Sequence, residues 1–184
     1  MNEPVAGLGS IAAIDVVRAS RNWPVPVVAG LDWPAHLITA GLVLGALPRR
    51  LGPEVAAWAL AGSVAIDLDH LPLYLGFRSA VTENGGRPMT HSLTTAAALL
   101  GAAVPARGRA RRVLAGLGVG VLLHLVRDIG TGGVPLLWPF RRGTVRVPYG
   151  AHFAVLAVAA TRPVLRRRVR GGLRVGGRRG QWNS

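Results

Sequence analysis

No cysteine occurs in the chain, so disulfides and thiolate-held metals are excluded, and any ion must be gripped by nitrogen and oxygen. Lysine is missing as well. All 22 basic residues are arginine, set against eight carboxylates, for a formal charge of +14. Its densest concentration is the tail "RPVLRRRVRGGLRVGGRRGQWNS", which has too little apolar content to fold alone and reads as a solvated, flexible arm. Membrane lipids with anionic headgroups are its expected partner. Nucleic acid is not, because the tail has almost no aromatic interleaving beyond Trp182. The N-terminus has no basic region followed by an apolar core and a small-residue cleavage site, so membrane insertion is expected to use internal helices.

Half of the residues are hydrophobic, and they are gathered into runs rich in Ala, Gly, Leu and Val. These runs cover 35–48, 53–75, 91–105, 113–130 and 151–165, which predicts an all-α, polytopic membrane bundle of about five helices. Their small residues favour close helix packing. The runs define a helical membrane domain over 35–165. It follows an irregular or interfacial segment over 1–34 and precedes the arginine-rich tail over 166–184. If the connections alternate between the two sides, 14 arginines fall on one side and eight on the other. The richer side is expected to be cytoplasmic, with the C-terminus on the inside of the membrane and the N-terminus outside.

The five histidines are placed unevenly on this scheme. His36 opens the first run, His70 closes the second, His91 opens the third, His124 lies late in the fourth and His152 opens the fifth. Alternation brings all of them to one face, the outer one. Asp67 and His70 are three apart and His124 and Asp128 four apart, so each pair shares a helix face, with Asp69 beside the first. An ionisable group within an apolar segment costs about 2.5 to 3.5 kcal/mol on insertion scales, and such groups mark functional sites. The clustering predicts a metal centre drawn from these residues, with His124 and Asp128 the clearest ligands, Asp67 and His70 beside them and His91 unexplained by capping. His36 or His152 taken alone reads as an interfacial helix-end histidine, and the role of His152 stays open. Imidazole and carboxylate donors suit zinc first, with manganese or iron as alternatives, and the surplus of donors fits two ions. Thr90 or Ser92 is placed to cap the helix after His91.

The elements "IDLDHLP", "RPMTHSL" and "HLVRDIGTGGVPLLWPF", with His36 ahead of them, resemble the YdjM-like group of LexA-binding, inner-membrane-associated, metal-dependent hydrolases. The resemblance spans about residues 36 to 140 and implies His36, Asp67, His91, His124 and Asp128 as ligands of a divalent metal. More distantly the group is similar to the zinc-dependent phospholipase C and single-strand nuclease fold, an analogy that points to phosphoesters. Two positions depart from the group's pattern, Ala35 in place of threonine and Gly86 in place of histidine.

The expected function is therefore hydrolysis of a phosphate ester or lipid-like, amphiphilic substrate by metal-activated water. Asp69 serves as general base or orienter, and Arg87 and Arg127 clamp the phosphate. A non-enzymatic metal-binding membrane protein, such as a transporter or sensor, is the alternative, and binding of anionic lipid or nucleic acid by the arginine tail is another. "VPLLWPF" is expected to form an interfacial wall carrying Trp138 and Phe140.

Overall fold

The structure of the protein is a computed structural model that describes residues 3–47, 51–75, 77, 82 and 87–176. Arg49, Arg50, Arg78, Gly86 and the chain beyond Gly176 lie outside the described residues. The described chain is helical: α1 Glu3–Ala19, α2 Val25–Ala46, α3 Pro53–Ala65, a 3-10 helix Ile66–His70, α4 Leu71–Tyr74, α5 Leu93–Ala103, α6 Gly108–Thr131 and α7 Tyr149–Gly176. Among the described residues the only β pairing is an isolated bridge between Val134 and Val145.

Of these helices, two and not five are long and apolar enough to cross a membrane, Pro26–Ala46 within α2 and α6. The shortfall is geometric. The 13 residues of α3 and the 11 of α5 reach about 20 Å at 1.5 Å per residue, short of a hydrocarbon core of about 30 Å. The run expected over 53–75 is cut at Ile66, where the helix tightens to 3-10 geometry. The first 34 residues hold more helix than the sequence reading allowed. α1 is regular, and α2 starts ten residues before the expected run because its proline stands in the first turn, where no N–H partner is needed. At the other end, the backbone of α7 continues into the arginine-rich segment as far as Gly176.

The central element is α6, which packs against α3, α5, α2 and α7. One core cluster joins Val121 and Leu125 of α6 to Ala96 of α5 and to Val134, and another joins Leu123 to Ala40 of α2 and Ala59 of α3. Contact between α3 and α6 depends on glycine. A Cβ on Gly120 would lie 2.5 Å from the Ala59 carbonyl oxygen and 2.7 Å from Gly62 Cα. Gly120→Ala is expected to push the two helices apart and cost about 1–3 kcal/mol as overpacking. It should also weaken metal retention, because His124 lies one turn further along. Thermal unfolding of the detergent-purified variant checks this, and an unchanged midpoint would contradict the close approach.

α6 ends at Thr131, three residues after Asp128. The N–H groups of Gly132 and Gly133 both donate to the Asp128 carbonyl, at 3.0 and 2.7 Å. Gly133 adopts φ +84°, a conformation that side chains resist, and a Cβ there would lie 3.0 Å from the Val145 carbonyl oxygen. The chain is thus turned back to form the Val134–Val145 bridge, and "VPLLWPF" runs against the start of α5. There Leu93 N–H donates to the Leu136 carbonyl and the Thr94 hydroxyl to the Trp138 carbonyl. Phe140 stands almost fully exposed.

Candidate metal centre

Four chain segments supply the site. His36 comes from α2, Asp67, Asp69 and His70 from the 3-10 helix, His91 from the turn before α5, and His124 and Asp128 from α6. In a 3-10 helix, residues three apart eclipse one another, which sets Asp67 and His70 on one side. On α6 the i,i+4 spacing does the same for His124 and Asp128. Ser92 occupies the N-cap position of α5, but its hydroxyl makes no capping bond. The Thr90 hydroxyl is not a cap either, because it donates to the Asp69 carboxylate.

Donor atoms converge from these segments. Asp128 lies 2.9 Å from Nε2 of His124, 3.5 Å from Nε2 of His36 and 3.7 Å from Nε2 of His91. Asp67 Oδ1 lies 3.5 Å from Nε2 of both His91 and His124 and 3.7 Å from Nδ1 of His70. The imidazoles of His36 and His124 stack with centroids 3.7 Å apart, and His91 meets both His124 and His70 edge-on at 4.9 Å. Two sets, His36 with His124 and Asp128, and Asp67 with His70 and His91, each hold ligand atoms within 4.8 Å of one another. His91 and His124 connect the two.

The donor set fits a divalent ion. Nε2 of His91, Nε2 of His124 and Oδ1 of Asp128 are buried without a hydrogen-bond partner. Such groups cost about 1–3 kcal/mol each when left unsatisfied. Their opposite ring nitrogens are fixed: His124 Nδ1 donates to the Ser63 carbonyl at 2.7 Å and His91 Nδ1 to Asp69 at 3.1 Å. Both rings therefore present Nε2 to the shared space, as metal-ligating histidines do when a carbonyl or carboxylate holds the other nitrogen. Asp69 takes hydrogen bonds from Thr90 and His91, and its other oxygen lies 3.0 Å from Nδ1 of His70.

Burial pushes the His91 imidazole down, but the Asp67 and Asp69 carboxylates beside it outweigh this and raise its pKa from 6.5 to about 9. Burial pushes Asp69 up, and the bonds from His70, His91 and Thr90 reverse this and hold its carboxyl well below the carboxylate range. Because the His91 pKa is raised, the stabilisation this proton gives the metal-free protein is complete below the unfolded value and is lost as pH rises through about 9. An ion at Nε2 must displace that proton. Apparent metal affinity is thus expected to rise about tenfold per pH unit up to about 9 and then level off. Calorimetry in buffers of different ionisation enthalpy measures the proton released, and a pH-independent affinity would contradict the assignment.

Arg87 and Arg127 diverge. The Arg87 guanidinium pairs with Asp128 at 2.8 Å and keeps partial exposure, so it borders the centre. Arg127 is fully buried and points away, bonding Asp15 of α1 at 2.6 Å with Asp32 of α2 at 3.5 Å. Asp15 also accepts the Tyr149 hydroxyl at 2.8 Å, and Asp32 pairs with Arg18 at 3.2 Å. His152 belongs to this second polar group: its ring faces Tyr149 and packs over Gly130, where a Cβ would strike it. The structure therefore gathers four of the five histidines and leaves His152 outside both ligand sets. Asp15 and Asp32 are contributors that sequence reasoning missed, although Asp32 stands four residues before His36, on the same face of α2.

Residues 31–178 match a family described as YdjM inner membrane protein. No curated protein and no solved structure matches the chain. With most of its length matched and two helices able to cross a bilayer, the chain belongs to the YdjM inner membrane protein family.

Proposed function

We propose that this protein is a membrane-bound, metal-dependent hydrolase acting on phosphate esters. The observation that carries the reading is the set of buried, unpartnered donor atoms brought together from α2, the 3-10 helix, the His91 turn and α6. His36, His124 and Asp128 would hold one ion and Asp67, His70 and His91 a second, with zinc best suited to imidazole and carboxylate donors. Such ions supply Lewis acidity, which makes water a competent nucleophile near neutral pH and polarises a phosphoryl oxygen. Asp69 and the Ser63 carbonyl keep the imidazoles in the tautomer that presents Nε2. Arg87, partly exposed beside Asp128, is the arginine positioned to neutralise an incoming anion. Arg127 keeps α1, α2 and α6 in register through Asp15 and Asp32 and is not available to substrate.

A transporter reading requires ionisable groups along the length of the spans. Those of α2 and the last third of α6 gather near the site, and the stretch from Val113 to Leu123 carries none. This one-ended distribution supports a pocket over a conduit. The test is hydrolysis of a panel of phosphate mono- and diesters by metal-loaded protein beside its Asp128→Ala variant. Turnover by the wild type alone supports the proposal, and equal rates in both, or none in either, would overturn it.

A further inference from the structure

A cleft of about 150 Å³ opens beside the metal centre, between α2 and the 3-10 helix. Its polar lining is Asp32 together with the ligands Asp67 and His70, and its apolar lining is Val28, Trp33, Leu68 and Leu71. Pockets that enclose a whole small-molecule ligand measure about 300–1,000 Å³. This one has room for a headgroup. The rest of a larger substrate must therefore lie outside it, over whatever surrounds the mouth. That surround is apolar, with Trp33 44% exposed and Leu68 and Leu71 each 54% exposed.

The position of the cleft says what lies against that surface. Val28 and Trp33 fall in the first eight residues of the Pro26–Ala46 span, and only 22% of its apolar stretch is buried by the rest of the protein. At 1.5 Å per residue, Trp33 lies about 10 Å along the span from its start, which corresponds to acyl-chain depth when that start sits at the edge of the hydrocarbon core. From this arrangement we infer that the substrate reaches the centre sideways out of the bilayer: an amphiphile whose anionic headgroup enters the cleft while its alkyl chain lies along Trp33, Leu68 and Leu71. The inference rests on the metal-centre reading, which gives the anionic headgroup its counter-charge. A water-soluble phosphoester would make no use of the exposed strip.

Full-length protein in phosphatidylcholine nanodiscs, loaded with zinc and assayed for metal content, is titrated calorimetrically with methylphosphonate and with decylphosphonate. Discs carrying Asp128→Ala supply the correction for partition into lipid. Decylphosphonate is expected to bind at least about tenfold more tightly. Trp33→Gln and Leu71→Gln, each at an exposed position, should shrink that preference to about threefold or less. Zinc-loaded wild type that binds both phosphonates alike, or variants that keep the full preference, would overturn the inference alone. Protein that takes up no zinc would overturn the metal reading and the inference together.

Discussion

Asp128→Ala is expected to lower metal affinity by more than about 100-fold, beyond the about 10–100-fold that loss of a mere orienting partner costs. Asp128 faces His36, His124 and His91 and is fully buried, whereas Asp67, the other carboxylate at these rings, lies beside His91 and His124. The variant also strands the Arg87 guanidinium, which loses its 2.8 Å partner. His124→Ala should act in the same direction, with α6 keeping its carboxylate and losing the imidazole beside it. Metal content after dialysis of the detergent-purified proteins reads the effect. Wild-type levels in both variants would exclude this site as the metal's location.

The second large effect is on stability. Asp15→Ala is expected to destabilise the protein by about 3–5 kcal/mol, because it leaves the buried Arg127 charge without its nearest carboxylate. Asp32, at 3.5 Å, compensates only in part, and the Tyr149 hydroxyl loses its acceptor too. Removing both charges of a buried pair is far milder than removing one, so Asp15→Ala combined with Arg127→Met should recover most of the loss. Chemical unfolding in detergent distinguishes these outcomes. A single variant within about 0.5 kcal/mol of wild type would show that the pair does not hold α1 to α6.

Much of the centre was legible because its spacing is local. The three-residue step from Asp67 to His70 and the four-residue step from His124 to Asp128 are visible without coordinates. The expected alternation of five spans also set His36 and His91 at one end, but only two helices are long and apolar enough to cross a membrane, so that alternation does not account for their meeting. What spacing does not show is which way neighbouring residues face. Arg127 adjoins Asp128 in sequence, but at 3.6 residues per turn the two point about 100° apart, one toward Asp15 and the other toward the histidines. The same limit hid Asp15, whose partner is 112 positions away, and sent His152 to Tyr149 and Gly130 instead of the ligand sets. Helix length was misjudged for a related reason. Apolar composition continues through Ile66–His70 while the backbone tightens to 3-10 geometry, and nothing in composition records that change.

The chain belongs to an inner membrane protein family, and its described His and Asp side chains form two groups that could hold a metal ion. X-ray absorption at the zinc edge of the metal-loaded protein tests the central claim most directly. The wild type is expected to show only nitrogen and oxygen neighbours at about 2.0–2.2 Å with imidazole scattering, and His124→Ala to show fewer imidazoles per ion. An identical spectrum and an undiminished zinc content in His124→Ala would contradict the account.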